Sequence, residues 1–400
     1  MKAALLEKTS VSGAKSRLAF VDNIRWTVIA MVVLMHACVT YSGLGSWYYN
    51  EKTSLDLVSQ LVFYVYQIFS QSFFMGILFF VAAAFTPGAY DRKGFSRFVL
   101  DRFLRLGIPT LVYMLILHPV TVIIHEAGTG REMSLPGIAR WYGRFIASGD
   151  FLGASGPLWF ALALLVFSLV YAVIRHAMET VRAHRVAERA PAVMTNGAVH
   201  RAAVLLIVVI GVASFFVRLV QPMGMSWMNM QLCYFSQYIV LFAAGLWAGR
   251  KGLLSSFPRK AGRVWLWLSL GMGVPGWFLL IGLGGALTGN GAAYMGGWTA
   301  QAAGFAVWEA FFCVSFCIGL VTLYRERANA RTRVSGLLSD TSFGIYVFHA
   351  PILVGVSVLL QAVVIYPPAK ALIAAAAAWA ASLCVAWLVR KIPGIGKFFA

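Results

Sequence analysis

A histidine and an arginine share one face of the first long apolar segment. Arg25 and His36 lie eleven positions apart, which turns an α-helix to within about 20° of three whole turns and raises it by ~16 Å. Imidazole titrates near neutral pH and suits acid–base catalysis, whereas an arginine at a membrane edge is often only a topology anchor. Spacing alone leaves two interpretations open: a chemical pair, or an anchor above a hydrogen-bonded core histidine.

Glu309 is the only acidic residue deep within any predicted apolar segment. An ionised carboxylate without a partner is unfavourable in lipid, so this side chain needs a counter-charge or a proton. His36, Arg218 and His349 are the candidate partners. The residue is then either part of a functional site or half of a structural ion pair between helices.

A polar stripe runs along a late apolar segment, where Ser342, Tyr346 and His349 fall at positions i, i+4 and i+7. Such a stripe either lines a cavity or bonds neighbouring helices. Arg218 lies near the outer end of another apolar segment. It either binds an anionic or polyhydroxyl acceptor or extends its charge to the membrane interface.

Arg102 and Arg105 form an Arg-x-x-Arg pair at the start of a further apolar segment. A three-residue spacing places both guanidinium groups on one helix face, and guanidinium groups bind phosphates in bidentate fashion. The alternative interpretation is that the two arginines only contribute to membrane topology, because every segment on this side of the predicted membrane is basic. The pair by itself therefore favours phosphate binding only weakly.

The composition predicts an integral membrane protein. Hydrophobic residues make up 60% of the chain and charged residues only 12%, whereas soluble domains carry roughly 25% charged residues. The formal net charge of +19 is spread over short basic runs between apolar segments, so we expect no nucleic-acid partner. The five cysteines show no zinc-type spacing with histidines, and we expect no metal or prosthetic group.

The elements that position these residues are helices long enough to cross a bilayer, which takes about 20 apolar residues. The sequence predicts an all-α bundle of about ten transmembrane helices, at approximately 24–43, 58–86, 106–126, 157–175, 202–220, 232–249, 264–287, 298–323, 343–364 and 369–389.

The distribution of basic residues predicts the orientation of this bundle. With a cytoplasmic N-terminus, the loops alternate along the chain between basic inner loops and outer loops with few basic residues. All but six of the 33 lysines and arginines then face inward. The exceptions are Lys52, Arg131, Arg140, Arg144, Arg218 and Lys370. We therefore expect a multi-pass protein of the cell (inner) membrane with both termini cytoplasmic. Its predicted divisions are an N-terminal tail at 1–20, a transmembrane domain at 21–392 and a C-terminal tail at 393–400.

Several motifs together resemble the membrane proteins of acyltransferase family 3. Five features occur in the family's order: an arginine and a histidine with ten residues between them, a Phe-Phe-Val-Ala-Ala-Ala-Phe helix end, an Arg-x-x-Arg segment, a Leu-Trp-Phe helix entry and a Ser-Phe-Gly-Ile-Tyr-x-x-His-x-Pro run. They lie at Asp22–Arg25 with His36, Phe79–Phe85, Arg97–Pro109, Pro157–Phe160 and Ser342–Pro351.

The resemblance implies transfer of an acyl group, commonly acetyl or succinyl, from cytoplasmic acyl-CoA to a hydroxyl group. The acceptor would be a carbohydrate or another molecule of the cell envelope. In this comparison His36 is the catalytic residue, and Arg25, Arg102 and Arg105 lie on the donor side. The implied partners are thus acyl-CoA, a glycan or other hydroxyl-bearing acceptor, and membrane lipid.

Further roles are hypotheses from chemistry. Glu309 would orient the imidazole of His36, and Tyr346 or Ser342 would donate to the developing oxyanion. Arg218, Trp159, Ser342 and His349 would contact the acceptor. Direct transfer and an acyl-histidine intermediate are equally compatible with the sequence. The competing class is a secondary transporter or exporter of a small polar molecule, which buried charges and polar stripes also suit.

Overall fold

The computed structural model describes residues 18–51, 54–131, 134–181 and 194–399. Within these ranges the chain forms helices and connecting turns without a β-strand, which confirms the all-α class. The helices are α1 (Ala19–Ser42), α2 (Leu57–Arg102), α3 (Ile108–Val112), α4 (His118–Gly128), α5 (Leu135–Ala147), α6 (Trp159–Val181), α7 (Asn196–Val220), α8 (Phe235–Lys251), α9 (Leu253–Ser256), α10 (Arg259–Leu268), α11 (Val274–Leu283), α12 (Ala300–Arg327), α13 (Arg333–Leu359) and α14 (Pro367–Arg390).

Nine helical stretches in the described part of the chain are long and apolar enough to cross a membrane. One of them, Leu57–Gly128, has 72 residues and contains both the second and the third predicted segments. A straight helix of that length would extend ~108 Å, far more than the roughly 30 Å hydrocarbon core. The backbone leaves helical geometry at Gly94, with φ 71° and ψ 173°, and this residue separates the two crossings.

The third predicted segment is continuous with α2 but irregular. Two π-helical turns, Phe103–Gly107 and Tyr113–Leu117, alternate with α3 and α4. Pro109 and Pro119 lie within the first two residues of α3 and α4. A proline ring cannot complete the usual hydrogen-bond ladder, and π-helical turns re-register the side chains around it.

Hydrogen bonds between distant segments of the chain mark the two ends of the bundle. At the end where α1 begins, the amide of Asn23 donates to the carbonyl groups of Ala328 and Ala330. At the opposite end, the amide of Asn229 donates to the carbonyl of Gly156 at 2.7 Å. We call the first the basic end, because most of the lysines and arginines that the structure describes belong to the segments at this end. The cytoplasmic placement of that end stays a prediction from charge.

Helix α1 lies inside the bundle rather than at its edge. It packs against α2, α12, α13 and α14, and Ile24, Val28 and Ala37 are fully buried. The outside of the bundle is apolar instead, as Leu205 on α7 and Leu279 on α11 illustrate. This arrangement suits a bundle in lipid, and it places the side chains of α1 where they meet other helices.

Candidate active site

The imidazole of His36 faces a second imidazole. Nδ1 of His36 on α1 lies 2.9 Å from Nε2 of His349 on α13, and the two rings are nearly coplanar and meet edge to edge, with 5.1 Å between centroids and 14° between planes. His349 has no exposed surface, whereas His36 is only partly buried. The sequence identified both histidines as candidates but not their contact, because 313 positions separate them.

The second ring of this pair is anchored to the backbone of its own helix. Nδ1 of His349 lies 2.7 Å from the carbonyl oxygen of Tyr346, one turn earlier on α13. The two imidazoles and this carbonyl form a chain of three polar groups that joins α1 to α13. We call His36 and His349, together with the Tyr346 carbonyl that holds His349, the histidine pair.

The loop after α1 folds back over the histidine pair. Gly43 ends α1 in the left-handed region at φ 68°, a conformation that glycine adopts without strain. The indole of Trp47 then stacks on His36 with centroids 3.9 Å apart and planes 11° apart. Sequence reasoning missed Trp47, and the available signal was a Trp-Tyr-Tyr run directly after a glycine-rich turn.

A hydroxyl cluster lies beside this stack. The hydroxyl of Tyr48 is 2.7 Å from Nδ1 of His118 and 3.1 Å from the hydroxyl of Tyr113. Burial raises the pKa of Tyr48 to about 12, so this phenol stays protonated at neutral pH. The loop is thereby fixed to the third membrane crossing, which holds Trp47 over His36.

Tyr346 and Ser342 are engaged with backbone carbonyl groups rather than open to a substrate. The hydroxyl of Tyr346 donates to the carbonyl of Pro157, and the hydroxyl of Ser342 donates to that of Ser339 at 2.9 Å. Since a hydroxyl has one proton to give, neither donates to an oxyanion in this conformation. Tyr346 does lie beside the histidine pair, with its ring 6.0 Å from that of His349.

The expected contact between Glu309 and His36 does not form. The carboxylate of Glu309 on α12 accepts a hydrogen bond from Nη2 of Arg218 on α7, and both side chains are almost completely buried. A permanently charged guanidinium offers bidentate geometry and charge to a carboxylate, which a neutral imidazole does not. Arg218 was one of three candidate partners, and the structure selects it.

The predicted contact of Arg218 with an acceptor has no opening in this conformation. Its side chain has no exposed surface, and its guanidinium carbon lies 5.4 Å from the ring of Tyr234 and 5.7 Å from that of Phe305. Its Nε and Nη1 atoms have no hydrogen-bond partner in the described chain. The predicted acceptor contact Trp159 stacks on Tyr238, with centroids 5.6 Å apart, and remains partly exposed.

The three arginines of the predicted donor side gather at the basic end. Arg25 pairs with Asp22 at 3.4 Å and lies 5.4 Å from the ring of Phe85. Arg102 lies within the range of electrostatic interaction with both Arg25 and Arg105. We call Arg25, Arg102 and Arg105 the arginine cluster.

Two side chains of the arginine cluster keep exposed surface. The side chain of Arg105 is 62% exposed and that of Arg25 is 39% exposed. Asp22 pairs with Arg25, and Asp101 pairs with Arg105 and, at 2.8 Å, with Lys93. Guanidinium groups that gather at one place and keep exposed surface favour a polyanion such as a nucleotide phosphate.

Residues 18–391 match the protein family described as an acyltransferase domain, acyltransferase family 3, and the chain belongs to this family. The match confirms the resemblance seen in the sequence and covers nearly the whole chain. No curated protein and no solved structure matches the chain. The protein is thus a multi-pass membrane protein of an acyltransferase family.

Proposed function

We propose that this protein transfers a short acyl group, acetyl or succinyl, from cytoplasmic acyl-CoA to a hydroxyl group of a carbohydrate or other cell-envelope acceptor. The supporting observation is the layout of α1. One face of this helix carries a guanidinium of the arginine cluster and, ~16 Å further along, the imidazole of His36, a partly buried residue in a hydrogen-bonded pair. The proposal places the protein in the cell (inner) membrane with the basic end in the cytoplasm.

The arginine cluster gives the donor a binding position. The nucleotide part of coenzyme A carries several phosphate charges, and guanidinium groups form strong bidentate contacts with phosphate. The flexible pantetheine arm would run beside α1 towards His36. Binding at one end and reaction further along would let the bundle take its donor from one side of the membrane and its acceptor from the other.

His36 supplies the base. Its free ring nitrogen takes the proton of the acceptor hydroxyl while the hydroxyl oxygen attacks the thioester carbonyl. A carbon–oxygen bond forms, the carbon–sulfur bond breaks, and the proton passes to the departing thiolate of coenzyme A. If the imidazole attacks first, the same balance holds over two steps, through an acyl-histidine.

The test uses purified protein in lipid nanodiscs with radiolabelled acetyl-CoA, and the acetyl group passes to a hydroxyl of an added cell-envelope extract or to water. We expect thioester consumption and free coenzyme A, and we expect His36→Ala to lower turnover by at least 10²-fold, roughly the contribution of a general base. His200→Ala is the matched control, because this histidine lies on α7, near Trp265 and outside the histidine pair. Near-normal turnover by a folded His36→Ala protein would refute the mechanism.

A second function, secondary transport of a small polar molecule, is favoured by one observation. The Arg218–Glu309 ion pair is buried between membrane helices, and such groups often mark permeation routes. The same preparation separates the two functions. A transporter in proteoliposomes would leave acetyl-CoA intact and move solute, with Glu309→Gln stopping that movement. Acetyl-CoA turnover that survives Glu309→Gln supports the acyltransferase.

A further inference from the structure

We infer that His349 is a positioning residue that sets the tautomer of His36 and so makes Nε2 of His36 the reacting nitrogen. This inference rests on the proposed function, since it names the reactive atom of the proposed base. It moves His349 from the predicted acceptor contacts to a role behind the catalytic ring.

The first proton is fixed by the backbone. A carbonyl oxygen only accepts hydrogen bonds, and the Tyr346 carbonyl lies 2.7 Å from Nδ1 of His349. Nδ1 of His349 therefore carries a proton. In a neutral imidazole the other nitrogen is then bare, which leaves Nε2 of His349 as an acceptor.

The surroundings favour the neutral form of His349. The ring is completely buried, and burial disfavours a charge that no anion balances. Its described hydrogen-bond partners are a carbonyl group and the imidazole of His36, neither of them anionic. The buried carboxylate of Glu309 is already paired with Arg218.

The second proton follows from the first. Nε2 of His349 accepts, so Nδ1 of His36 at 2.9 Å must donate. Neutral His36 then has a bare Nε2, which lies on the side of the ring away from His349. Trp47 covers one face of the His36 ring, and His36 is the member of the pair that keeps exposed surface.

In a catalytic triad a carboxylate orients the catalytic histidine. Here the imidazole of His349 and the peptide carbonyl of Tyr346 take the place of that carboxylate. When Nε2 of His36 takes a proton, Nδ1–H still donates to His349, and the dipoles behind it stabilise the cation. The Tyr346 residue acts here through its backbone. Its hydroxyl bonds elsewhere, to Pro157.

The direct test is nuclear magnetic resonance of protein labelled with ¹⁵N in its histidine rings. Long-range proton–nitrogen couplings show which ring nitrogen is protonated, and variants of the two histidines assign the signals. We expect Nδ1–H in both His36 and His349 at neutral pH. Nε2–H in His36 of the native protein would overturn the inference, whatever the outcome of the acetyl-CoA assay.

Kinetics supply a second test with a matched pair of variants. His349→Leu removes the acceptor, and we expect turnover to fall by roughly 10–100-fold, as for other groups that orient a functional histidine, with the KM for acetyl-CoA unchanged. His349→Gln offers an amide oxygen to His36 and an amide N–H to the Tyr346 carbonyl. We expect it to recover most of that loss and to keep the Nδ1–H signal.

A purely structural role gives a different pattern. Both variants would then lose stability and turnover together, while the tautomer of His36 stayed unchanged, and this result would contradict the inference. Failure of the proposed function is seen separately. If His36→Ala leaves turnover intact while the native spectrum shows Nδ1–H, the tautomer assignment stands and the catalytic role falls.

Discussion

Two pairs of polar side chains lie between the membrane helices, and they differ in charge and in access. The histidine pair joins α1 to α13 through neutral hydrogen bonds, and one of its residues keeps exposed surface. The Arg218–Glu309 pair joins α7 to α12 through opposite charges, and neither side chain has more than a few per cent exposed. The first pair can meet a ligand, whereas the second is closed in this conformation.

The comparison shows why an ionisable residue in a membrane span is not enough to define a reactive site. Both pairs cost free energy to bury, and both would be functional hypotheses by default. The two opposite charges of the ion pair balance each other, so its first consequence is to hold two helices together. The histidine pair leaves Nε2 of His36 outside its hydrogen bonds, on a residue that keeps some exposed surface, and a base requires such a nitrogen.

The largest expected effect breaks the ion pair. We expect Glu309→Leu to destabilise the protein by about 3–5 kcal/mol, because Arg218 would keep a buried charge without a partner. Thermal unfolding in detergent measures the change. The double variant Arg218→Met with Glu309→Leu removes both charges and should recover most of that stability. A stable Glu309→Leu protein with a 10²-fold slower turnover would instead show that Glu309 takes part in the reaction.

The second effect concerns the link between the histidine pair and the basic end. We expect Arg102→Ala with Arg105→Ala to raise the KM for acyl-CoA about 100-fold, since each of the two lost contacts with a phosphate is worth roughly 1.5 kcal/mol and every 1.4 kcal/mol is tenfold. The increase should shrink at high salt. Arg140→Ala with Arg144→Ala is the matched control, from α5 at the opposite end. Equal effects of both double variants would show that the arginine cluster contributes only to membrane topology.

A smaller effect decides the role of Tyr346. We expect Tyr346→Phe to cost about 0.5–1.5 kcal/mol of stability, the usual net value of one hydrogen bond, because it loses its contact with Pro157. Turnover should change only a few-fold, since the backbone carbonyl that holds His349 remains. A loss of about 10²–10³ in kcat, as for an oxyanion donor, would show that the hydroxyl turns to the substrate during reaction.

The smallest effect concerns the aromatic cover of each pair. We expect Trp47→Leu to lower kcat a few-fold, since an aromatic stack contributes about 0.5–1.5 kcal/mol to holding a ring in place, and Trp47 stacks on His36. Phe305→Leu removes the ring beside Arg218 and should lower thermal stability alone. Loss of turnover in Phe305→Leu, with Trp47→Leu unaffected, would reverse the assignment of the two pairs.

The class of the fold and most of its helices followed from the sequence by itself. Hydropathy and helix length are local properties of the chain, so each predicted span corresponds to helix in the structure. The shared face of Arg25 and His36 was likewise predictable, because helix periodicity alone relates two residues of one helix. The motifs of the family are local as well, and they identified it correctly.

Only the tertiary structure decided which polar groups meet. Glu309 had three candidate partners, and the packing of α7 on α12 selected Arg218. The packing of α1 on α13 brought His349 to His36, and a left-handed turn at Gly43 returned Trp47 to the same ring. Hydropathy places a residue along the membrane normal but leaves its neighbours undefined. Contacts between helices depend on the side-chain shapes of both partners.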